Sequence, residues 1–176
     1  LLGCGQDMDR QPKLKPLQES AFFPDGRGSR APVAGTVPQG GLRLDQALFR
    51  GRDGDAFVGT FPFAIGRKEL DRGRERYDIF CSPCHDRLGT GRGIIVQRGY
   101  RAPSSFHVDR LRQSPPGYLF DVITRGFGAM PDYAAQVPTR DRWLIVAYLR
   151  ALQLSQNVSR DELTVEEMRR LEGEAR

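Results

Sequence analysis

Residues 79–89 read IFCSPCHDRLG, and they gather two of the chain's three cysteines and one of its two histidines. Cys81, Cys84 and His85 stand at i, i+3 and i+4, so one helical turn puts all three on the same face. Two thiols at that spacing can each add S–H across a vinyl group of a haem, and the adjacent imidazole can reach its iron. C-x-x-C-H is the attachment signature of c-type haem. Other chemistries fit less well. A thioredoxin-like redox pair needs its Cys-x-x-Cys to open a helix after a strand, and here a helical pattern precedes it. Zinc would need two further ligands, and only His107 is left nearby because Cys4 is remote. Two buried structural cysteines would leave His85 unexplained. The expected cofactor is one covalent haem c.

The elements that must hold this motif can be read from periodicity and punctuation. KELDRGRERYDIFCSPCH, from Lys68, reads as a helix with acidic residues early and Leu70, Tyr77 and Phe80 toward one side. A glycine-rich turn follows, DRLGTGRG, then an irregular stretch containing Pro103. SPPGYLFDVITRG is a second helix, with Pro near its start and Gly126 as its stop. GFGAMPDYAAQVP is a loop. TRDRWLIVAYLRAL is the strongest helix, with Thr139 as its N-cap and Trp143, Val146, Ala147 and Leu149 in the run. The charged end carries a capping-box pattern at Thr164 and Glu167. The fold class is mostly α with long coil: a haem domain over 68–154 and a charged helix or tail over 155–176.

The first third is different. Half of the 12 prolines and more than half of the 20 glycines fall before residue 67. Prolines at 12, 16, 24, 32, 38 and 62 break any helix. Residues 5–67 therefore read as an extended arm. Yet this arm contains Phe22, Phe23, Phe49, Phe57, Phe61 and Phe63, more than a solvated tether carries. It is expected to lie against something, its own domain or another subunit. Since 68–154 already matches a small haem domain in length, neighbouring subunits are the expected surface. The start, Leu1-Leu2-Gly3-Cys4, resembles a bacterial lipobox, which makes residues 1–4 a processing site and Cys4 a lipidated anchor. No run of eighteen apolar residues occurs, and hydrophobic residues make up 39% of the chain. The net charge of +5 comes from basic residues interspersed with acidic ones, which argues against nucleic acid as a partner.

Residues 68–154 resemble a class I cytochrome c. Gly73, Tyr77 and Cys81 repeat that family's Gly-x-x-x-aromatic-x-x-x-Cys helix, and RWLIVAYLRAL resembles its C-terminal helix. The resemblance implies that Tyr148 packs against the first helix at Gly73, whose missing Cβ lets the helices cross closely and offsets a helix cost of about 1 kcal/mol. It also implies a methionine as second iron ligand, in the loop before the last helix, where Met130 stands. Met8 and Met168 lie in the tail and the charged end; His107, giving a bis-histidine haem, is the alternative. In the family His85 would donate its second ring N–H to a proline carbonyl, for which Pro103 is the candidate although it lies further along the chain than usual. Arg98, Tyr100, Arg101 and Trp143 are available for the haem propionates. With both axial positions filled, the resemblance implies electron transfer rather than catalysis.

The wider pattern is narrower still. QDMDRQP after Cys4, FFPDGRGSRAPVAGTV, IVQRGYRAPSSFH, FDVITRGFGAMPDYAAQVPTRDRW and YLRALQLSQ together resemble the monohaem cytochrome c subunit of alternative complex III, a bacterial quinol:acceptor oxidoreductase. That implies a lipid-anchored respiratory-chain subunit on the periplasmic face of the cytoplasmic membrane. Its partners would be a multihaem cytochrome and integral-membrane subunits, with a terminal oxidase or soluble carrier as acceptor. Two readings stand beside it: a free-standing lipoprotein cytochrome c, and a haem enzyme such as a peroxidase with an open axial position.

Overall fold

Gly73 marks the place where the fold is pinned. A Cβ there would run into the Leu144 carbonyl and come within 3.2 Å of Tyr148 Cβ, so only glycine lets the two helices approach this closely. Those helices are α2 (Arg67–Phe80) and α7 (Thr139–Asn157), and their crossing agrees with the contact expected from the sequence. Their exposed edges are tied as well: Arg72 donates to both oxygens of Asp141, at 3.2 and 2.8 Å, and Arg140 pairs with Glu69 at 3.1 Å.

The computed structural model describes residues 11–174 and divides into two units, Leu1–Leu42 and Arg43–Arg176. In the first, residues 11–42 form turns and extended chain, with one isolated bridge between Glu19 and Arg27 and an Asp25–Arg30 pair at 2.7 Å. The second unit runs, in chain order, α1 (Gln46–Arg50), β1 (Arg52–Asp53), β2 (Ala56–Phe57), α2, α3 (Ser82–His85), α4 (Ile94–Gln97), α5 (Asp109–Gln113), α6 (Pro116–Arg125), α7, a 3-10 turn (Arg160–Glu162) and α8 (Val165–Glu174). The only sheet among the described residues is the antiparallel β1–β2 hairpin. This is a mostly helical, class I cytochrome c fold with an irregular N-terminal stretch and a short charged C-terminal helix. Among the described residues, no helix is long and apolar enough to cross a membrane.

The core is Tyr77, Phe120, Val137, Trp143, Ile145 and Val146, all buried. Helix α7 supplies most of it, ten of its residues being buried from Asp141 to Gln153. Thr139 lies one residue inside the helix; the N-cap position is Pro138, and Thr139 Oγ1 instead accepts from Arg142 at 3.1 Å. The capping box at Thr164 and Glu167 forms as expected, with Thr164 N donating to Glu167 at 2.8 Å and Glu167 N to Thr164 Oγ1 at 3.3 Å.

The boundary drawn at residue 67 is corrected by the packing: the helical unit begins at Arg43. Leu48, Val58, Phe61 and Phe63 pack on the core, Phe61 edge-on to Trp143 and Phe57 edge-on to Tyr118. Gly51, Val58 and Gly117 are stitched by backbone hydrogen bonds, Val58 N to Gly51 O and Gly117 N to Val58 O, each 3.0 Å. Of the phenylalanines that looked surplus in an arm, Phe61 and Phe63 are thus accounted for by partial burial against the domain's own core, while Phe22 stays exposed.

Candidate haem site

Helix α2 ends where the motif begins. Cys81 is the C-cap of α2 and the N-cap of α3, and its carbonyl accepts from both Cys84 N at 3.2 Å and His85 N at 2.9 Å. The motif is therefore one tight turn, set at a break in the helix that the sequence reads as continuous. Asp86 stops α3 with a positive φ of 57 and an extended ψ of 176. Its carboxylate then gathers Leu88 N at 2.7 Å, Arg92 N at 2.9 Å, Thr90 N at 3.3 Å and the Thr90 hydroxyl. Burial works to raise the Asp86 carboxyl, but these hydrogen bonds outweigh it and hold it below the usual range. The buried Tyr77 hydroxyl donates to Asp86 O at 2.6 Å, so the core of α2 fixes the exit of the motif.

The His85 ring stacks on Phe106, centroids 4.4 Å apart and planes at 16°. Phe106 is held in turn by its N–H on Gly89 O at 2.9 Å and by Gln153, which donates to its carbonyl at 2.7 Å. Burial lowers the His85 pKa to about 4, a nearby Asp86 charge opposing only in part, so the imidazole is neutral near pH 7 and free to act as a ligand. Its Nδ1 is buried with no hydrogen-bond partner.

Met130 comes from the loop after α6. Gly126 and Gly128 have φ 77 and 59, values that favour glycine, and a Cβ on Gly126 would lie 2.5 Å from Met130 O. Phe127 and Met130 exchange backbone hydrogen bonds of 3.0 Å, closing the loop on itself.

Cys81, Cys84, His85, Met130, Pro103, Tyr100 and Arg101 line one cavity of about 460 Å³, walled by Phe80, Leu119, Ile123, Ile145 and Leu149 among others. Trp143 is the site residue that the structure does not bring there. It is wholly buried in the core, and its Nε1 donates to Leu48 O at 2.8 Å, which leaves no N–H for a propionate. His107 is also engaged away from the cavity: Nε2 lies 2.7 Å from Leu88 O and Nδ1 3.2 Å from Asn157 Nδ2. Arg98 and Met168 do not line the cavity, and Cys4 and Met8 lie outside the described residues. Sequence reasoning missed Phe106 and Arg110, because a ring partner and a cavity-lining cation are set by tertiary packing and leave no local signal.

The donor set fits a haem. Two unpaired thiols, a neutral imidazole and a thioether face one apolar cavity. The charged side chains of Arg101 and Arg110 line it and no carboxylate does, which suits a dianionic macrocycle. The partnerless His85 Nδ1 has the Pro103 carbonyl's segment in the same cavity wall. Among the described residues, no group of three His, Cys, Asp or Glu side chains could hold a metal ion alone.

Residues 68–149 match the family model described as cytochrome c oxidase, cbb3-type, subunit III. No curated protein matches the chain. A solved chain from the Kuenenia stuttgartiensis reducing HAO-like protein complex Kustc0457/Kustc0458 is similar at 21% identity and a TM-score of 0.46, over 60% of this chain. The match covers 54% of that chain, so this protein spans about half its length. The family match spans just under half of the chain, and over that stretch the helical unit is similar to a cytochrome c domain, a fold suited to electron transfer.

Proposed function

We propose that the protein is a lipid-anchored monohaem cytochrome c that carries electrons within or out of a quinol:acceptor oxidoreductase of the alternative complex III type. The observation that carries the reading is the convergence of Cys81, Cys84, His85 and Met130 on one apolar cavity. Cys81 and Cys84 would hold the haem through thioether bonds, His85 and Met130 would ligate its iron, and Arg101 and Arg110 would neutralise its propionates. The bound group supplies one-electron redox chemistry. Phe80, Leu119, Ile145 and Leu149 would keep water from it, and with His85 and Met130 both held by the iron no position would be left open to oxygen or substrates.

The finer assignment rests on the motifs flanking the domain: the lipobox-like start at Cys4 and the stretches that resemble the alternative complex III subunit. These support a position on the periplasmic face of the cytoplasmic membrane beside a multihaem cytochrome. Two measurements test the reading. Haem should stay with wild-type protein through acid-acetone extraction and be lost from the Cys81→Ser, Cys84→Ser double variant; freely extracted haem would refute covalent attachment. Purification from the native membrane should bring down a multihaem cytochrome and yield an acylated N-terminus at Cys4. Recovery alone, with the anchor intact, would instead favour a free-standing lipoprotein cytochrome.

A further inference from the structure

Tyr100 sits at the cavity edge, 47% exposed, yet its hydroxyl is committed: it donates to Ala129 O at 2.9 Å, across 29 residues of sequence. Ala129 is the residue before Met130. The other bonds of that loop are local, the Phe127–Met130 exchange and Tyr133 N to Ile123 O at 3.0 Å, so they shape the turn or tie its far end to α6. Among the described residues, Tyr100 gives the one hydrogen bond that ties the loop's tip to another element.

The wall it comes from leads back to the haem-attachment turn. Gly93 N donates to Cys84 O at 3.0 Å and opens α4; Tyr100 N then donates to Ile95 O in that helix at 3.2 Å. One run of hydrogen bonds therefore passes from Cys84 through α4 and Tyr100 to Ala129. It joins the two sides of the cavity that carry His85 and Met130.

We infer that Tyr100 is a positioning residue that clasps the Met130 loop to the haem-attachment side, holding the thioether where it serves as a ligand. The inference rests on Met130 being an axial ligand. Breaking one neutral hydrogen bond is worth about a fivefold shift in a local opening equilibrium. A loop freed at its tip then withdraws Met130 more often, and an added ligand competes more readily for the iron.

The test compares Tyr100→Phe with wild type in the full, haem-loaded chain. The substitution removes one oxygen from a half-exposed ring, so haem content and melting temperature should be nearly unchanged. Imidazole affinity of the ferric protein should rise about fivefold, and the Phe127 and Met130 amides should exchange with solvent faster by a similar factor. Unchanged amide exchange and imidazole affinity, in protein where Met130→Ala does admit imidazole strongly, would overturn the clasp and leave the ligand assignment standing. If Met130→Ala binds imidazole no better than wild type, the ligand assignment fails and the positioning role falls with it, even where amide exchange in Tyr100→Phe accelerates.

Discussion

A single indole shows how burial decides between two roles for one residue. Trp143 carries an N–H that a haem propionate could use, but that N–H is spent on Leu48 O, with the ring stacked on Phe120 at 4.4 Å. Trp143→Phe removes the donor and keeps most of the ring. It leaves a buried carbonyl without its partner and should cost about 1–3 kcal/mol of stability. Because the residue lies outside the cavity, the reduction potential and the haem absorption spectrum should stay as in wild type; a clear shift in potential would restore a propionate role. Arg101 and Arg110 are where such a shift belongs. The same kind of commitment separates the two axial candidates. His107 has both ring nitrogens occupied by Leu88 and Asn157, while Met130 has its side chain in the cavity wall.

Helices were the legible part of this sequence, and the joints between them were not. The α2–α7 crossing was anticipated through the family resemblance of Gly73, Tyr77 and Tyr148, and the contact does demand glycine at that position. Gly73→Ala tests it: the new Cβ meets the Leu144 backbone, which cannot rotate away. The helix propensity gained is outweighed by a loss of about 1–3 kcal/mol from overpacking, read as a lower midpoint in urea. The motif at residues 81–85 was readable from cysteine spacing alone, whereas Met130 was reached only through the family resemblance, which puts a methionine in the loop before the last helix. The break at Cys81 did leave a local signal that periodicity passed over: Pro83 has no N–H to continue α2 and falls in the first turn of α3, where a helix start tolerates it. The C-cap of α5 was not readable. Arg150, nearly forty positions along the chain, donates to Arg112 O at 2.9 Å and to Ser114 O, ending that short helix from outside.

Over the whole molecule, the main revision is where the domain begins. Aromatic residues between prolines looked like an arm seeking a partner, since composition cannot say which surface an aromatic will find. Truncation separates the possibilities. A chain lacking residues 5–42 should keep its haem spectrum and melting temperature. Further removal, through residue 66, uncovers Trp143 and forfeits the partial burial of Leu48, Val58, Phe61 and Phe63, each worth less than the roughly 1.5–3 kcal/mol of a fully buried side chain. That longer deletion should melt well below wild type; equal stability of the two would return residues 43–66 to the status of a tether. The hydrogen bond between Trp143 and Leu48 also spans 95 residues, and the Arg72–Asp141 pair spans 69. Time enters here. Contacts this distant carry a large loop-closure cost, and α7, which walls the cavity with Ile145 and Leu149, follows the haem-motif turn and α6 along the chain. Until it docks, the turn bearing Cys81 and Cys84 would stand beside a cavity lacking the wall of Ile145 and Leu149, and a flat macrocycle could be laid in from that side.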